Sequence, residues 1–345
     1  MLNWFKNFYK NNEKTLEFDF HSKFDDIKFV NIFWISKSDK FKKSLDRVME
    51  YSDKIYKYLK SNNFPPDSFK ISILDKTETS GKKACIIEAD HRYIDGSIFM
   101  ELFYKGCGSS SKMLPNYNTI IGFIYLIYYL PRLLWFYFRN KTQTYKKSER
   151  NISIKKVFTI QKLPNISSRA VVLHTLYYDI MKSLKKDRLI IGVPVAFDGK
   201  NINNVGIGLL IFDKYTTPKI MEEKIKTVYT MAIATNIFDK IKRYLPFYFN
   251  IDAYKFRENL DAISTIFYYN GLGDCDTDFD FNFLPGKNVV EKMYMSGCAI
   301  KKSDTNLKLD IVVTTCYNEI ADLLNKNGDY VPINQEYLKN SVNIS

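Results

Sequence analysis

The chain has 345 residues, 46% of them hydrophobic, which excludes disorder as its resting state and is enough for a large core, expected to be divided between two lobes. Its formal net charge of +13 and pI near 9.2 imply attraction to an anion: lipid headgroups, nucleic acid or a phosphorylated substrate. The 51 Lys and Arg are scattered among 38 Asp and Glu, with no arginine-rich block, zinc-ligand spacing or RNP-like string, so nucleic acid is not an expected partner.

Residues 39–61 place Phe41, Leu45, Ile55, Tyr58 and Leu59 at helical spacing and predict one amphipathic helix or two, stopped by Pro65 and Pro66. The string FKISILD at 69–75 alternates like a strand before the turn residues Thr79, Ser80 and Gly81. A second strand, KKACIIEAD at 82–90, runs directly into HRYIDG. Here His91, Asp95 and Gly96 stand at H-x-x-x-D-G spacing. An imidazole leaving a strand can sit at the floor of a cleft, with a pKa near neutrality suited to taking a proton from a hydroxyl or thiol. Asp95 can fold the loop back through a local side-chain bond, and Gly96 tolerates the resulting turn. The competing reading is a surface turn with a structural His. Residues 97–106 then read as a helix ended by Gly106.

Residues 119–138, TIIGFIYLIYYLPRLLWFYF, carry no charge until Arg132, and as a helix they would extend about 30 Å, enough for a bilayer core. Pro131 and Arg132 interrupt the run, aromatic residues crowd it, and Lys141, Lys146, Lys147 and Arg150 follow, a combination that favours the membrane interface. A buried core helix and a transmembrane span remain alternatives. The polar stretch 139–152 marks a boundary between lobes.

Beyond it, helices are predicted over 167–186 and from Pro218 to about residue 245, the second started by proline. Buried strands are predicted at 189–197 and 205–215 around a turn, then at 261–271, 288–300 and 307–320, the last two forming a hairpin across KKSDTN. His21 and His174 read as structural. The acidic string Asp274, Asp276, Asp278, Asp280 starts like a calcium loop but has Phe279 where a glycine is needed and Pro285 where a glutamate is needed, so it reads as a solvated loop. No metal site is expected. P-loop, G-x-S-x-G and H-E-x-x-H strings are absent from the sequence, which weighs against phosphoryl transfer, serine hydrolysis and zincin chemistry.

Cys85, Cys107, Cys275, Cys298 and Cys316 are widely spaced, odd in number and without a C-x-x-C pair, which fits a reducing, intracellular compartment. The start, MLNWFKNFYKNNEK, has no uninterrupted apolar run or small-residue cleavage site, so no secretory signal is expected there.

The chain resembles a divergent member of the CoA-dependent acyltransferase superfamily with the chloramphenicol acetyltransferase fold, nearest to the wax ester synthase and diacylglycerol acyltransferase branch. That branch carries H-H-x-x-x-D-G; its second, catalytic His falls on His91, and Asp90 replaces the first. The family's S-N-V-P-G-P is similar to 269–274 at Asn270 and Gly273, and its P-V strand to 192–197 at Pro194 and Val195. An Asn-Asp pair before V-V-L is replaced by Arg169 and Ala170, and Asp198 stands near the position of a usual Arg.

The resemblance implies an α/β protein of two chloramphenicol acetyltransferase-like lobes with mixed sheets and a channel between them: residues 1–138, a linker at 139–152, and residues 153–345. It implies an O-acyltransferase with acyl-CoA as co-substrate, no permanently bound cofactor, and a lipid alcohol as acceptor. His91 would be the general base, Asp95 the loop anchor, and Gly96, Asn270 and Gly273 substrate-binding positions. An anionic membrane surface would be met through 119–150, on the cytosolic face. The alternative is a catalytically silent relative that binds lipid or assembles on membranes, suggested by the lost first His, the lost Asn-Asp pair and Asp198.

Overall fold

The structure is a computed structural model that describes residues 28–36, 39–65, 68–75, 82–90, 116–138, 148, 151–197, 204–242, 257–269, 281–284 and 292–333. Two sheets organise it. The smaller contains β1 (Lys28–Ser36), β2 (Phe69–Asp75), β3 (Lys82–Asp90) and β8 (Phe281–Leu284) in the antiparallel order β2-β3-β1-β8. The predicted strands at 69–75 and 82–90 are present with those bounds, and β3 is flanked on both sides by partners. The helix expected at 39–61 is one continuous helix, α1 (Asp39–Ser61), with Ile55 and Leu59 buried.

The larger sheet has seven strands in the order β11-β4-β10-β9-β7-β5-β6. They are β4 (Ile152–Gln161), β5 (Arg188–Ala196), β6 (Val205–Asp213), β7 (Ala262–Tyr269), β9 (Met293–Lys301), β10 (Asn306–Thr315) and β11 (Val331–Pro332). β5–β7 and β7–β9 are parallel; the other pairs are antiparallel, including the β9–β10 hairpin and the β5–β6 pair expected from sequence. β10 is buried along nearly its whole length, as a central strand must be when both faces are covered.

Helices α3 (Ser168–Ser183), α4 (Pro218–Lys242) and α5 (Asn318–Gly328) pack on the larger sheet. Ser167 caps α3 by accepting from the Ala170 amide, and Pro218 starts α4 at a position where its missing N–H costs nothing. Leu176, Tyr177 and Ile180 of α3 are fully buried in the main core with Phe212 of β6 and Ile311 of β10.

Three local readings change. The strand predicted through residue 320 ends at Thr315, because the Tyr317 carbonyl accepts from the Ile320 and Ala321 amides and starts α5, whose Ile320, Ala321 and Leu324 are buried. Residues 281–284, the tail of the acidic string read as a loop, form β8. That strand pairs with β1 and also lies beside β9 and β10, so a segment from the C-terminal half completes the smaller sheet. Finally, α2 (Thr119–Phe138) is helical through Pro131, with one face packed on α4 and the other exposed, so it is neither a fully buried core helix nor a helix free on all sides.

Helix α4 lies against β6 at very short range. A Cβ on Gly208 would come within 2.2 Å of the Val228 carbonyl oxygen, and one on Gly206 within 1.9 Å of that of Ala232. These are backbone atoms of a helix fixed on both sides, so they cannot yield by a rotamer change. Gly208→Ala is therefore expected to destabilise the fold by about 1–3 kcal/mol, read as a lower urea midpoint with little change in slope.

Candidate functional site

β5 and β7 run parallel side by side but stay paired only through Ile191–Ala262 and Gly192–Ile263. The reason lies in the backbone of β5. The N–H and C=O of Ile207, opposite Pro194 on β6, are turned away from β5 to the Thr235 hydroxyl, at 2.8 and 3.0 Å. Alternation then directs the backbone groups of Ile190, Gly192 and Pro194 toward β7. Ile190 donates to the Asp261 carboxylate at 2.9 Å and accepts from the Asp261 amide at 2.8 Å. At Pro194 the donor is missing, and the ladder stops.

Beyond that point the strands enclose a cavity of about 130 Å³, covered by α3 and α4. Leu173, Val193, Leu210, Ile225, Val228 and Ile266 make its apolar wall. Ser264 contributes a hydroxyl; the next residue on β7, Thr265, turns its own hydroxyl to the opposite face of the strand, 3.2 Å from that of Tyr294. Ser264 is buried and its hydroxyl has no hydrogen-bond partner among the described residues. Burial pushes the pKa of the neighbouring Tyr177 phenol up, and the Ser264 hydroxyl opposes that rise. Arg169, exposed in the first turn of α3, packs its guanidinium over the rings of Tyr268 at 4.9 Å and Tyr229 at 5.7 Å, and the Tyr268 hydroxyl donates to the Arg169 carbonyl at 3.4 Å. The result is an apolar pocket with a cation held by two aromatic rings and a buried hydroxyl in its wall. Ligand pockets are typically about 300–1,000 Å³, so this one has room for part of a ligand of that class rather than all of it.

The junction below the cavity is ionic. Asp261 is buried and meets Lys186 at 3.1 Å and Lys292 at 3.3 Å while bonding to β5. One carboxylate therefore ties together the start of β7, the approach to β5 and the approach to β9.

His91, Asp95 and Gly96 begin one residue past the end of β3 at Asp90, and Asn270 and Gly273 just past the end of β7 at Tyr269; all five lie outside the described residues. The Pro194-Val195 pair lines the cavity, as does Arg169, which stands where the resembled family has Asn. Ser264, Thr265, Tyr229 and Tyr268 were not singled out from sequence. The one available signal was a pair of hydroxyl residues in the middle of the apolar strand AISTIF. His174 is structural: its Nε2 lies 2.9 Å from the Thr216 carbonyl oxygen and its ring stacks on Tyr178. Among the described residues no cluster of three or more His, Cys, Asp or Glu could hold a metal ion.

No protein-family profile and no curated protein sequence matches the chain. Solved structures do. A mutant of the starter condensation domain of the rhizomide synthetase RzmA, in complex with C8-CoA and Leu-SNAC, is similar over 87% of this chain and 87% of that one, at 8% identity and a TM-score of 0.51. Another mutant of that domain, in a "product-released" conformation, is similar over 86% of each chain at 7% identity and a TM-score of 0.50. The chain has the two-lobe chloramphenicol acetyltransferase-like fold. At this identity the likeness establishes the fold that condensation domains share with CoA-dependent acyltransferases, in agreement with the expected fold class.

Asp261→Ala removes the carboxylate that Lys186 and buried Lys292 both meet and an acceptor from β5, so it is expected to cost about 3–5 kcal/mol, read in urea unfolding monitored by circular dichroism. His174 gives a pH signature. Burial lowers its pKa, partly opposed by its bond to the Thr216 carbonyl, so the unfolded chain binds the proton more tightly. Stability is then expected to fall as pH drops from about 6.5 toward the lower folded value, and His174→Gln should flatten that slope.

Proposed function

We propose that this chain is an acyltransferase that moves an acyl group from acyl-CoA to the hydroxyl of a lipid alcohol, a fatty alcohol or diacylglycerol, as the resembled wax ester synthase branch does. The observation that carries the reading is the delivery of HRYIDG by β3, a strand held by partners on both sides, in a fold shared with condensation domains. A base that must wait for two substrates needs a rigid platform, and a doubly paired strand supplies one. The structural neighbour in complex with C8-CoA supports an acyl thioester as the donor.

In this reading neutral His91 accepts the proton as the alcohol oxygen attacks the thioester carbonyl, and it returns the proton to the sulfur as CoA leaves. Asp95 holds the loop that carries His91. Gly96 lets that loop turn, and Asn270 with Gly273 binds the developing oxyanion from the second lobe. The apolar cavity beside Pro194 takes part of an acyl or alcohol chain.

Arg169 favours a second reading, a silent relative that binds lipid without turnover. Its guanidinium, packed over two tyrosine rings, lines the cavity at a position where the resembled family has a small amide.

Purified protein given a long-chain acyl-CoA and a fatty alcohol or diacylglycerol is expected to release free CoA, and His91→Ala to slow that release by about 10²–10⁴-fold. Equal turnover by the variant would overturn the assignment of His91. Acyl-CoA binding without CoA release, for either acceptor, would select the silent relative. Transfer to an amine thioester in place of the alcohol would move the substrate class toward that of the Leu-SNAC-bound neighbour.

A further inference from the structure

We infer that α2 is an in-plane docking helix for an anionic lipid surface, held by its inner face and presenting its outer face to the bilayer. This rests on the helix and its charge environment and is independent of the reaction proposed above.

The inner face is already committed. Leu126, Tyr129, Leu133 and Phe136 are buried against Met231, Ala234 and Ile237 of α4, in a cluster that also contains Leu260 and Ile263. The Tyr129 and Thr230 hydroxyls lie 2.7 Å apart, and Asn259 donates to the Phe136 carbonyl at 3.1 Å. A Cβ on Gly122 would stand 2.6 Å from Ile237 Cγ1, so the two helices approach closely there. A helix fastened in this way cannot be encircled by lipid as a lone span, although its length and composition alone would allow it to cross a bilayer.

The outer face is apolar as well. Ile120, Ile124, Ile127, Tyr128, Trp135 and Phe138 are between 59% and 75% exposed and share one face of the helix, at spacings of three, four and, across Pro131 and Arg132, seven residues. From Ile120 to Phe138 this stripe runs for about 27 Å along the helix. Exposed apolar surface of such extent marks an interaction site. Its Trp and Tyr are the residues that bilayer interfaces favour.

Charge selects the occupant. From residue 102 to residue 148 the sequence contains no Asp or Glu, although the chain as a whole has 38. The same stretch contains Lys105, Lys112, Arg132, Arg139, Lys141, Lys146 and Lys147. Arg132 is exposed on α2 itself. Self-association through this face would bring two copies of Arg132 together in a stretch of sequence with no acidic residue to offset them, which like-charge repulsion opposes. An anionic headgroup layer meets Arg132 and is attracted by the basic, acid-free sequence to either side of the helix, while the acyl boundary receives the apolar stripe.

The experiment is flotation of the full chain with phosphatidylcholine vesicles, with and without phosphatidylglycerol. Binding is expected with phosphatidylglycerol present, to weaken as salt is raised, and to be released by an alkaline carbonate wash. The double variant Ile124→Asp/Ile127→Asp should lower the partition coefficient by on the order of a hundredfold. Both positions are exposed, so its thermal unfolding should match the parent, and Trp135→Phe provides a milder variant with a smaller loss. Vesicle binding unchanged in the double variant would overturn the assignment of this face. Resistance to carbonate would overturn the in-plane arrangement. Light scattering that finds a parent dimer, a monomeric double variant and no vesicle binding would make the face a homodimer interface instead.

Discussion

The larger sheet depends on a backbone donor that Pro194 does not have. β5 and β7 are clamped at their shared start, where Asp261 bonds to both directions of the Ile190 peptide groups and to two lysines. Two residues past Gly192 no amide is available to continue the ladder, so the strands part. The separation does not unravel the sheet because each strand is satisfied on its other side, β7 by β9 and β5 by β6. A cavity inside a sheet would otherwise expose unpaired peptide groups. Here the opening is confined to one inter-strand gap and lined mainly by aliphatic side chains.

Helix α4 makes that arrangement permanent. β6 is the edge of the sheet, and its outward-facing backbone groups are taken up by side chains of α4: Thr235 at Ile207, Lys224 at the Ile211 carbonyl and Asn236 at the Val205 carbonyl. Gly206 and Gly208 let the helix come close enough for these bonds. The edge is thereby closed to strand addition. The opposite side of α4 receives α2, so one helix supports the cavity on one side and the exposed apolar stripe on the other. The two surfaces share a scaffold without sharing residues.

Some of this was legible in the one-dimensional pattern. β2, β3, the start of α4 and the β9–β10 hairpin follow from alternation, proline at the first helical turn and a short polar connection, all local signals. β8 was hidden because four residues after an acidic run carry too little period to register, and its partner β1 lies some 250 residues away. α5 was hidden because β10 runs into it across only two residues, and a strand reading simply continued. The HRYIDG string stood out by spacing and composition, and the strand ahead of it exists; the disposition of His91, Asp95, Gly96, Asn270 and Gly273 lies outside the described residues.

The cavity is a different case. Arg169, Val193, Val228 and Ser264 lie on four elements and their chain positions have no common period, so no window of sequence could group them. The sequence alone determined the alternation of helices and strands and an acid-free basic segment around an apolar helix, and it singled out His91 and Asp95, whose roles belong to the proposal. Only the tertiary structure decided that Pro194 faces β7, that Arg169 is held between Tyr229 and Tyr268, and which half of α2 is buried. Residue types and local spacing are properties of the chain, whereas the direction of a peptide group or a helix face is set by partners far away along it.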